Sequence, residues 1–192
     1  KALRTIQQND LPEGKRVLGV IRPTTESINE YTKNNKVGIL ATQGTVLSES
    51  YKIEMNKFHP TIDVFQLACP LWVPLVENNE IDSKAAHDIV EEEIQRLFDQ
   101  SSEIDTIVLA CTHYPLLFPV ISQYVPENVT ILSQGELVAN KLTDYLHRHP
   151  EVETQCSKNG NLTFYTTDDA KSFEANTTIF YGQKITASHL DV

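Results

Sequence analysis

The 192-residue chain contains few cysteines: Cys69, Cys111 and Cys156, with no Cys-x-x-Cys pair among them. An odd number of separated thiols argues against a disulfide framework and predicts a protein of a reducing compartment, the cytoplasm. The sequence also lacks an apolar run close to the roughly 20 residues that a membrane-spanning helix needs. We therefore expect neither a disulfide-rich secreted domain nor a membrane protein.

Basic side chains are scarce as well. Lys and Arg number 16 against 26 Asp and Glu, which gives a formal net charge of −10. No run of Lys or Arg is long enough to form a patch for phosphates. Because an acidic surface repels nucleic acids and anionic membranes, we expect neither as a main partner. The charge is most simply explained as one that keeps the protein in solution.

Segments typical of strands and of helices alternate along the chain. Apolar runs predict strands over residues 16–21, 36–41, 62–69, 104–111 and 128–133. Helical patterns cover residues 42–58, 82–99, 116–124 and 135–149, and the first eight residues are typical of a helix end. Other segments break the pattern. Residues 22–27 are typical of a linker, and two prolines in residues 70–79 disfavour a regular helix at the start of that segment. Residues 150–161 are polar and irregular, and short strand-like or mixed elements follow them. This alternation predicts an α/β fold with mostly parallel sheets.

Ligands of parallel sheets bind at the carboxyl ends of the strands, and chemically unusual residues follow the predicted strands here. Thr42 and Thr45 flank Gly44 where a helix is expected to begin, a place that suits a carboxylate or a phosphate. Taken alone, helix capping by either threonine explains this pattern better. Glu77, after the next strand, is either a surface carboxylate or a partner that orients a histidine.

The end of the third buried strand carries a thiol, a hydroxyl and an imidazole in succession: Cys111, Thr112 and His113. Pro115 is well placed to begin a helix just beyond them. A helix start favours a reactive thiolate, and a neighbouring histidine can serve as an acid or a base. Three such residues together favour a reactive site over a buried cysteine with an incidental histidine. Cys69, in contrast, is typical of a small buried apolar residue.

The stretch VLACTHYPLL, residues 108–117, resembles the second cysteine motif of the glutamate racemases, which are members of the aspartate/glutamate racemase superfamily. Further segments resemble that family in the same order: GVIRPTTES, GILATQGTVLSESY, QLACPLWVPLVE and FYTTDD. The resemblance covers nearly the whole chain. It implies two pseudo-symmetric αβα domains, with the site at strand ends between them, and it is compatible with a homodimer.

The resemblance also implies a reaction. One thiolate removes the α-proton of glutamate and a thiol on the opposite face returns a proton, without pyridoxal phosphate or a metal ion. By resemblance, Cys111 acts on the L-glutamate face, Thr112 holds the substrate and His113 assists Cys111. Thr42 and Thr45 fall where the family binds a substrate carboxylate, and Glu77 falls where a carboxylate partners the histidine. The product would be D-glutamate for peptidoglycan precursors, and thus for cell-wall biogenesis and cell shape.

Two family features are missing: the first cysteine, in a Cys-Asn-Thr stretch, and an N-terminal Asp-Ser-Gly loop. We therefore expect an N-terminally truncated chain. Residues 1–22 and 134–192 would be the remnant of a discontinuous first domain, and residues 23–133 would form the second domain, which carries Cys111. On this view the chain alone does not racemise glutamate.

Three alternatives remain at this point. The substrate of the family reaction could be aspartate or a similar amino acid. The chain could also be a non-catalytic fragment that binds a carboxylate or a partner protein. A thiol hydrolase with a Cys–His pair has less support, because His113 is too close to Cys111 along the chain for the usual dyad.

Overall fold

The computed structural model describes residues 2–191 of the chain. The strands are β1 (Lys36–Ala41), β2 (Asp63–Ala68), β3 (Thr106–Leu109), β4 (Thr130–Ser133), β5 (Phe164–Thr166) and β6 (Ala187–His189). The helices are α1 (Ala2–Thr5), α2 (Ile21–Ser27), α3 (Gln43–Leu47), α4 (Ser50–Phe58), α5 (Trp72–Glu77), α6 (Lys84–Gln100), α7 (Phe118–Tyr124), α8 (Gln134–Arg148), α9 (Pro150–Glu153) and α10 (Ala170–Tyr181). Short helical turns of other types cover Ile6–Asp10, Ile28–Glu30 and Tyr114–Leu117.

Four parallel strands form the main sheet, in the order β2-β1-β3-β4. All four residues of β3 are buried, as are the last five of β1. Continuous apolar strands of this kind are expected where a parallel sheet is covered on both faces. The predicted α/β fold class with parallel pairing is therefore confirmed.

Successive residues of the central strands face opposite layers of the core. Leu40 and Leu109 pack into one layer, which α5, α6 and α7 complete with residues such as Trp72. Ile39 and Val108 pack into the other layer against residues of α4 and the 28–30 turn. The sheet thus separates two apolar layers, and its strand ends are the place where side chains can leave the core.

The helix predicted over residues 82–99 is confirmed as α6. Ser83 accepts a hydrogen bond from the backbone N–H of Ala86 at 3.1 Å and so caps the first turn. The inward face contains Ala86, Val90, Ile94 and Leu97, which are fully buried or nearly so. These buried positions recur at spacings of three and four residues, as expected for one face of an amphipathic helix.

The strand predicted over residues 16–21 is wrong, because residues 15–19 have no regular structure and α2 begins at Ile21. Among the described residues no strand pairs with this segment, so Leu18 and Val20 stay half exposed. The linker predicted at 22–27 is also wrong. Those residues lie in α2, where Pro23 falls in the first turn and therefore removes no hydrogen bond of the helix interior.

Two other helical predictions need adjustment. The helix expected over 42–58 is divided into α3 and α4 at Glu49, whose φ of 50° lies in the left-handed region. The prolines of 70–79 do not prevent a helix, since α5 begins at Trp72 and Pro74 lies within its first turn. The remaining predicted strands and helices of residues 36–149 are present with small changes at their ends.

The chain divides into two compact units, residues 1–144 and 145–192. In the second unit β5 and β6 pair in parallel and α10 connects them. Asp169 caps α10 by accepting a hydrogen bond from the Ser172 N–H at 2.7 Å, and Gly182, with φ of 74°, ends the helix. The predicted discontinuous domain of residues 1–22 and 134–192 stays a prediction. No helix within residues 2–191 is long and apolar enough to span a membrane.

Among the described residues, Glu93 is the one carboxylic acid buried in the core, on the inward face of α6. It is 6% exposed, and its Oε2 has no hydrogen-bond partner among the described residues. Burial in the apolar layer raises the pKa of Glu93 to about 7, and the nearby Cys69 thiol, Arg96 charge and Trp72 indole oppose this only in part. Glu93 is therefore a proton-binding group inside the fold near neutral pH.

We expect the unfolding free energy of Glu93→Gln to increase relative to that of the wild type as the pH rises from 4.5 to about 7. The pKa of Glu93 is higher in the folded state than in the unfolded state. The stabilisation from its proton is therefore complete below the unfolded value and is lost as the pH rises through the folded value. The difference between the two unfolding free energies should change by on the order of 3 kcal/mol over this range.

Urea denaturation of both proteins at pH 5 and pH 8 measures this difference. Glu91→Gln, at an exposed position on the same helix, is the matched control and should give no such change. An equal stability difference at the two pH values for Glu93→Gln would contradict the assignment.

Candidate active site

The carboxyl ends of β1, β2 and β3 lie side by side, and the predicted residues lie in the segments that follow them. The backbone pairing continues past the strands: the N–H of Ala110 donates to Leu40 O at 2.8 Å and that of Cys69 donates to Ala41 O at 2.9 Å. Thr42 and Cys111 therefore leave the sheet from neighbouring strands. The structure thus places the first threonine and the cysteine at one edge of the sheet.

His113 lies between Cys111 and Glu77. Its Nδ1 is 3.9 Å from Cys111 Sγ and its Nε2 is 3.3 Å from Glu77 Oε1. Thr112 Oγ1 is 3.4 Å from the same Nδ1. Four of the six predicted site residues, Cys111, Thr112, His113 and Glu77, thus form one continuous polar arrangement. An imidazole in this place can exchange a proton with the thiol, and the carboxylate that faces its other nitrogen can orient the ring.

The local sequence explains why residues 111–113 take up this position. The Tyr114 N–H donates to Cys111 O at 3.2 Å and begins the turn Tyr114–Leu117. The buried Tyr114 hydroxyl donates to Cys69 O at 2.9 Å, and its ring packs against Trp72 with centroids 4.8 Å apart. Glu77 comes from the last residue of α5, the helix that Trp72 begins. One aromatic contact therefore joins the segments that carry His113 and Glu77.

Thr42 and Thr45 contact each other, with 3.1 Å between their hydroxyl oxygens. Thr42 occupies the residue before α3, but its side chain makes no capping hydrogen bond. Helix capping by Thr42 therefore does not explain its presence. Both side chains are partly exposed, so their hydroxyl groups are accessible to a ligand at this edge of the sheet.

The other two cysteines have different surroundings. Cys69 is fully buried, as predicted for a small apolar residue, and burial raises the pKa of its thiol far above the ordinary value. Cys156 is exposed and belongs to the unit of residues 145–192. Within the unit of residues 1–144, Cys111 is therefore the cysteine with an accessible thiol.

The structure adds a polar cluster at this edge that the sequence analysis missed. Gln134, the residue after β4, donates from Nε2 to Tyr51 Oη at 2.6 Å and to Thr24 Oγ1 at 2.9 Å. Burial raises the pKa of Tyr51 to about 12, so its hydroxyl stays neutral. The position of Gln134 after a predicted strand could have indicated it, whereas Thr24 lay in a segment predicted as a linker.

The sequence profile described as Asp/Glu/Hydantoin racemase matches residues 12–142, which is more than half of the chain. The chain belongs to this racemase family. It is 42% identical over 163 residues to a glutamate racemase of Enterococcus faecalis, a match that covers 82% of this chain and 57% of the relative. It is 35% identical over 187 residues to a glutamate racemase of Lactiplantibacillus plantarum, with coverage of 97% and 66%.

The fold agrees with this family membership. The crystal structure of a glutamate racemase isoform from Bacillus anthracis superposes with a TM-score of 0.86 at 30% identity. The superposition covers all of this chain and 70% of that one. A glutamate racemase from Thermus thermophilus superposes with a TM-score of 0.76 at 26% identity. The chain spans about three fifths of the length of the curated relatives that it matches.

We expect His113→Asn to slow alkylation of Cys111 in this racemase-family chain. Removing the imidazole 3.9 Å from Sγ takes away a group that can stabilise the thiolate. The rate with iodoacetamide at pH 7 should fall by up to roughly tenfold, the equivalent of about 1.4 kcal/mol from one charge-assisted hydrogen bond. Mass spectrometry of the Cys111 peptide measures this rate separately from the other thiols.

The exposed His147 offers a matched control, since His147→Asn should leave the Cys111 rate unchanged. In every variant Cys69 should stay protected and Cys156 should react as an ordinary exposed thiol. An unchanged Cys111 rate in His113→Asn would show that the imidazole does not activate the thiol.

Proposed function

We propose that this chain supplies the Cys111 side of a glutamate racemase, which interconverts L- and D-glutamate. One observation carries the proposal: the Cys111–His113–Glu77 arrangement at the end of β3, in a chain 35–42% identical to glutamate racemases over most of its length. The substrate is inferred from the names of these relatives, and the chemistry is inferred from the site. The racemase activity of the whole protein is likewise proposed from these relatives.

In the proposed step, the Cys111 thiolate removes the α-proton of L-glutamate. A new S–H bond forms, the Cα–H bond breaks, and its electron pair stays on the α-carbon and spreads into the carboxylate. His113 lies beside the thiolate, with Nδ1 3.9 Å from Sγ, and Glu77 orients the imidazole at 3.3 Å. The developing charge on the substrate is stabilised by preorganised hydrogen-bond donors.

The threonines supply these donors in the proposal. The hydroxyls of Thr42 and Thr45 lie 3.1 Å apart after β1, and Thr112 lies beside Cys111 after β3. Hydroxyls at the ends of two neighbouring strands can donate hydrogen bonds to a substrate carboxylate and are themselves uncharged. This arrangement supports an amino-acid substrate, and the relatives favour glutamate over aspartate.

A complete racemisation also needs a proton donor on the opposite face of the α-carbon. Cys69 cannot serve, because it is fully buried and therefore cannot contact a substrate, and because its raised pKa makes the thiol a poor proton donor. For the chain as given, we therefore propose deprotonation of the L-enantiomer at Cys111 without full racemisation.

The setting of the protein is part of the same proposal. Three free cysteines are typical of a reducing compartment, so we infer a cytoplasmic location. D-glutamate would enter peptidoglycan precursors and so contribute to cell-wall biogenesis and cell shape. A homodimer is also inferred from the family resemblance, and it can be measured by sedimentation.

Incubation with L-glutamate in deuterated buffer tests the chemical step. We expect the α-proton NMR signal of L-glutamate to disappear with time, because Cys111 exchanges the abstracted proton with solvent. D-glutamate should keep its signal over the same period. Cys111→Ala should abolish the exchange, whereas Cys156→Ser should preserve it.

The outcomes separate the alternatives. Exchange of L-aspartate faster than L-glutamate would indicate a different substrate within the family. No exchange with either enantiomer would contradict the proposed deprotonation and favour a fragment that only binds a carboxylate or a partner. Exchange that persists in Cys111→Ala would exclude Cys111 as the base.

A further inference from the structure

The buried carboxyl of Glu93 lies beneath the candidate site, next to polar groups that the proposed reaction does not use. Its Oε2 is an acceptor without a hydrogen-bond partner among the described residues. The indole Nε1–H of Trp72 is a donor that also has no hydrogen-bond partner among them. Trp72 is completely buried and Glu93 is 6% exposed. Two complementary buried groups without partners are unusual in a core and point to a role beyond packing.

Glu93 is connected to both segments that carry the histidine and its carboxylate partner. Trp72 begins the six-residue helix α5, and Glu77 ends it. The Trp72 ring packs against Tyr114, whose hydroxyl donates to Cys69 O, and Tyr114 follows His113 in the chain. A change at the Trp72 indole can therefore reach Glu77 through α5 and His113 through Tyr114.

The two protonation states of Glu93 place different demands on these neighbours. An ionised carboxylate in an apolar layer needs donors, and the Trp72 N–H and the Cys69 thiol are the donors beside it. A neutral carboxyl is a weaker acceptor than a carboxylate and attracts the indole N–H less strongly. Ionisation therefore favours a closer approach of Trp72 to Glu93, and protonation releases it.

Other charged and titratable groups surround Glu93 from the elements packed against it. Arg96, on the same helix, favours the ionised form, and Glu92 opposes it. On the side of the sheet and the site, Cys69 and Tyr114 face Glu93, and burial raises the pKa of both. Both are therefore neutral near pH 7, so Glu93 is the group among these three whose charge changes near that pH.

We propose that Glu93 is a positioning residue whose ionisation moves Trp72 and helix α5, and thereby sets the contact between Glu77 and His113 beside Cys111. The consequence for catalysis rests on the proposed racemase function. The mechanical coupling does not, since it concerns the placement of Glu77 and His113 and can be measured without a substrate.

Trp72 is the single tryptophan of the chain and reports on the cluster directly. We expect the wavelength and intensity of its fluorescence emission to change between pH 6 and 8 in the wild-type chain. Glu93→Gln, which keeps the shape and removes the titration, should abolish this transition. The exposed Glu91→Gln on the same helix is the control and should retain it.

A second measurement reports on the candidate site. The alkylation rate of Cys111 should change with pH near pH 7 in the wild-type chain as Glu93 ionises. This change should be absent in Glu93→Gln and present in Glu91→Gln. Carboxyl-carbon NMR of the wild-type chain should show one glutamate that titrates near pH 7, which tests the proposal even if Glu93→Gln does not fold.

Each readout can overturn the proposal. A Trp72 transition that persists in Glu93→Gln would assign it to another group, such as a histidine. A Trp72 transition that disappears while the Cys111 profile stays the same would show that Glu93 is not coupled to the site. The absence of a glutamate that titrates near pH 7 would also contradict it. Failure of α-proton exchange affects none of these measurements, so the two proposals fail independently.

Discussion

The backbone pairing of β1 with β2 and β3 determines where Thr42 and Cys111 lie, and the rest of the site is built on these strand ends. Its hydrogen bonds continue beyond the strands, to Ala110 on one side and Cys69 on the other. The side chains of β1 and β3 are buried in two apolar layers, so the register cannot slip without moving apolar residues out of the core. The carboxyl edge is therefore a fixed platform for Thr42 and Cys111.

A second constraint acts just beyond that edge. The Tyr114 hydroxyl binds the backbone of Cys69, and the Tyr114 ring packs on Trp72. This buried contact joins the loop after β3 to the loop and helix after β2. His113 and Glu77 come from these two segments, and their 3.3 Å approach follows from the packing beneath them. The polar site thus depends on an aromatic pair that is itself in the apolar core.

Much of this arrangement could be predicted from sequence, for definable reasons. Continuous apolar runs identified β1 and β3, because a parallel strand covered on both faces contains few polar residues. The succession of Cys111, Thr112 and His113 at a strand end indicated the site, since parallel strands direct their ends to one edge. The strand expected at 16–21 failed because an apolar run forms a strand only where another strand can pair with it.

Other features could not be predicted because they depend on contacts between distant segments. The division of residues 42–58 at Glu49 depends on one left-handed residue whose side chain does not demand it. Glu93 lies in a run of three glutamates, and only the packing of α6 shows that this one points into the core. Its partner Trp72 is 21 positions earlier in the sequence. Helical spacing alone does not reveal such a pair.

We propose that the carboxyl edge of the four-stranded sheet binds glutamate through Thr42, Thr45 and Cys111. A titration of the ¹⁵N-labelled chain with L-glutamate, followed by amide chemical shifts, measures this binding residue by residue. We expect saturable shifts at residues 42–45 and 111–113. Shifts confined to other parts of the chain, or none at any concentration, would contradict it.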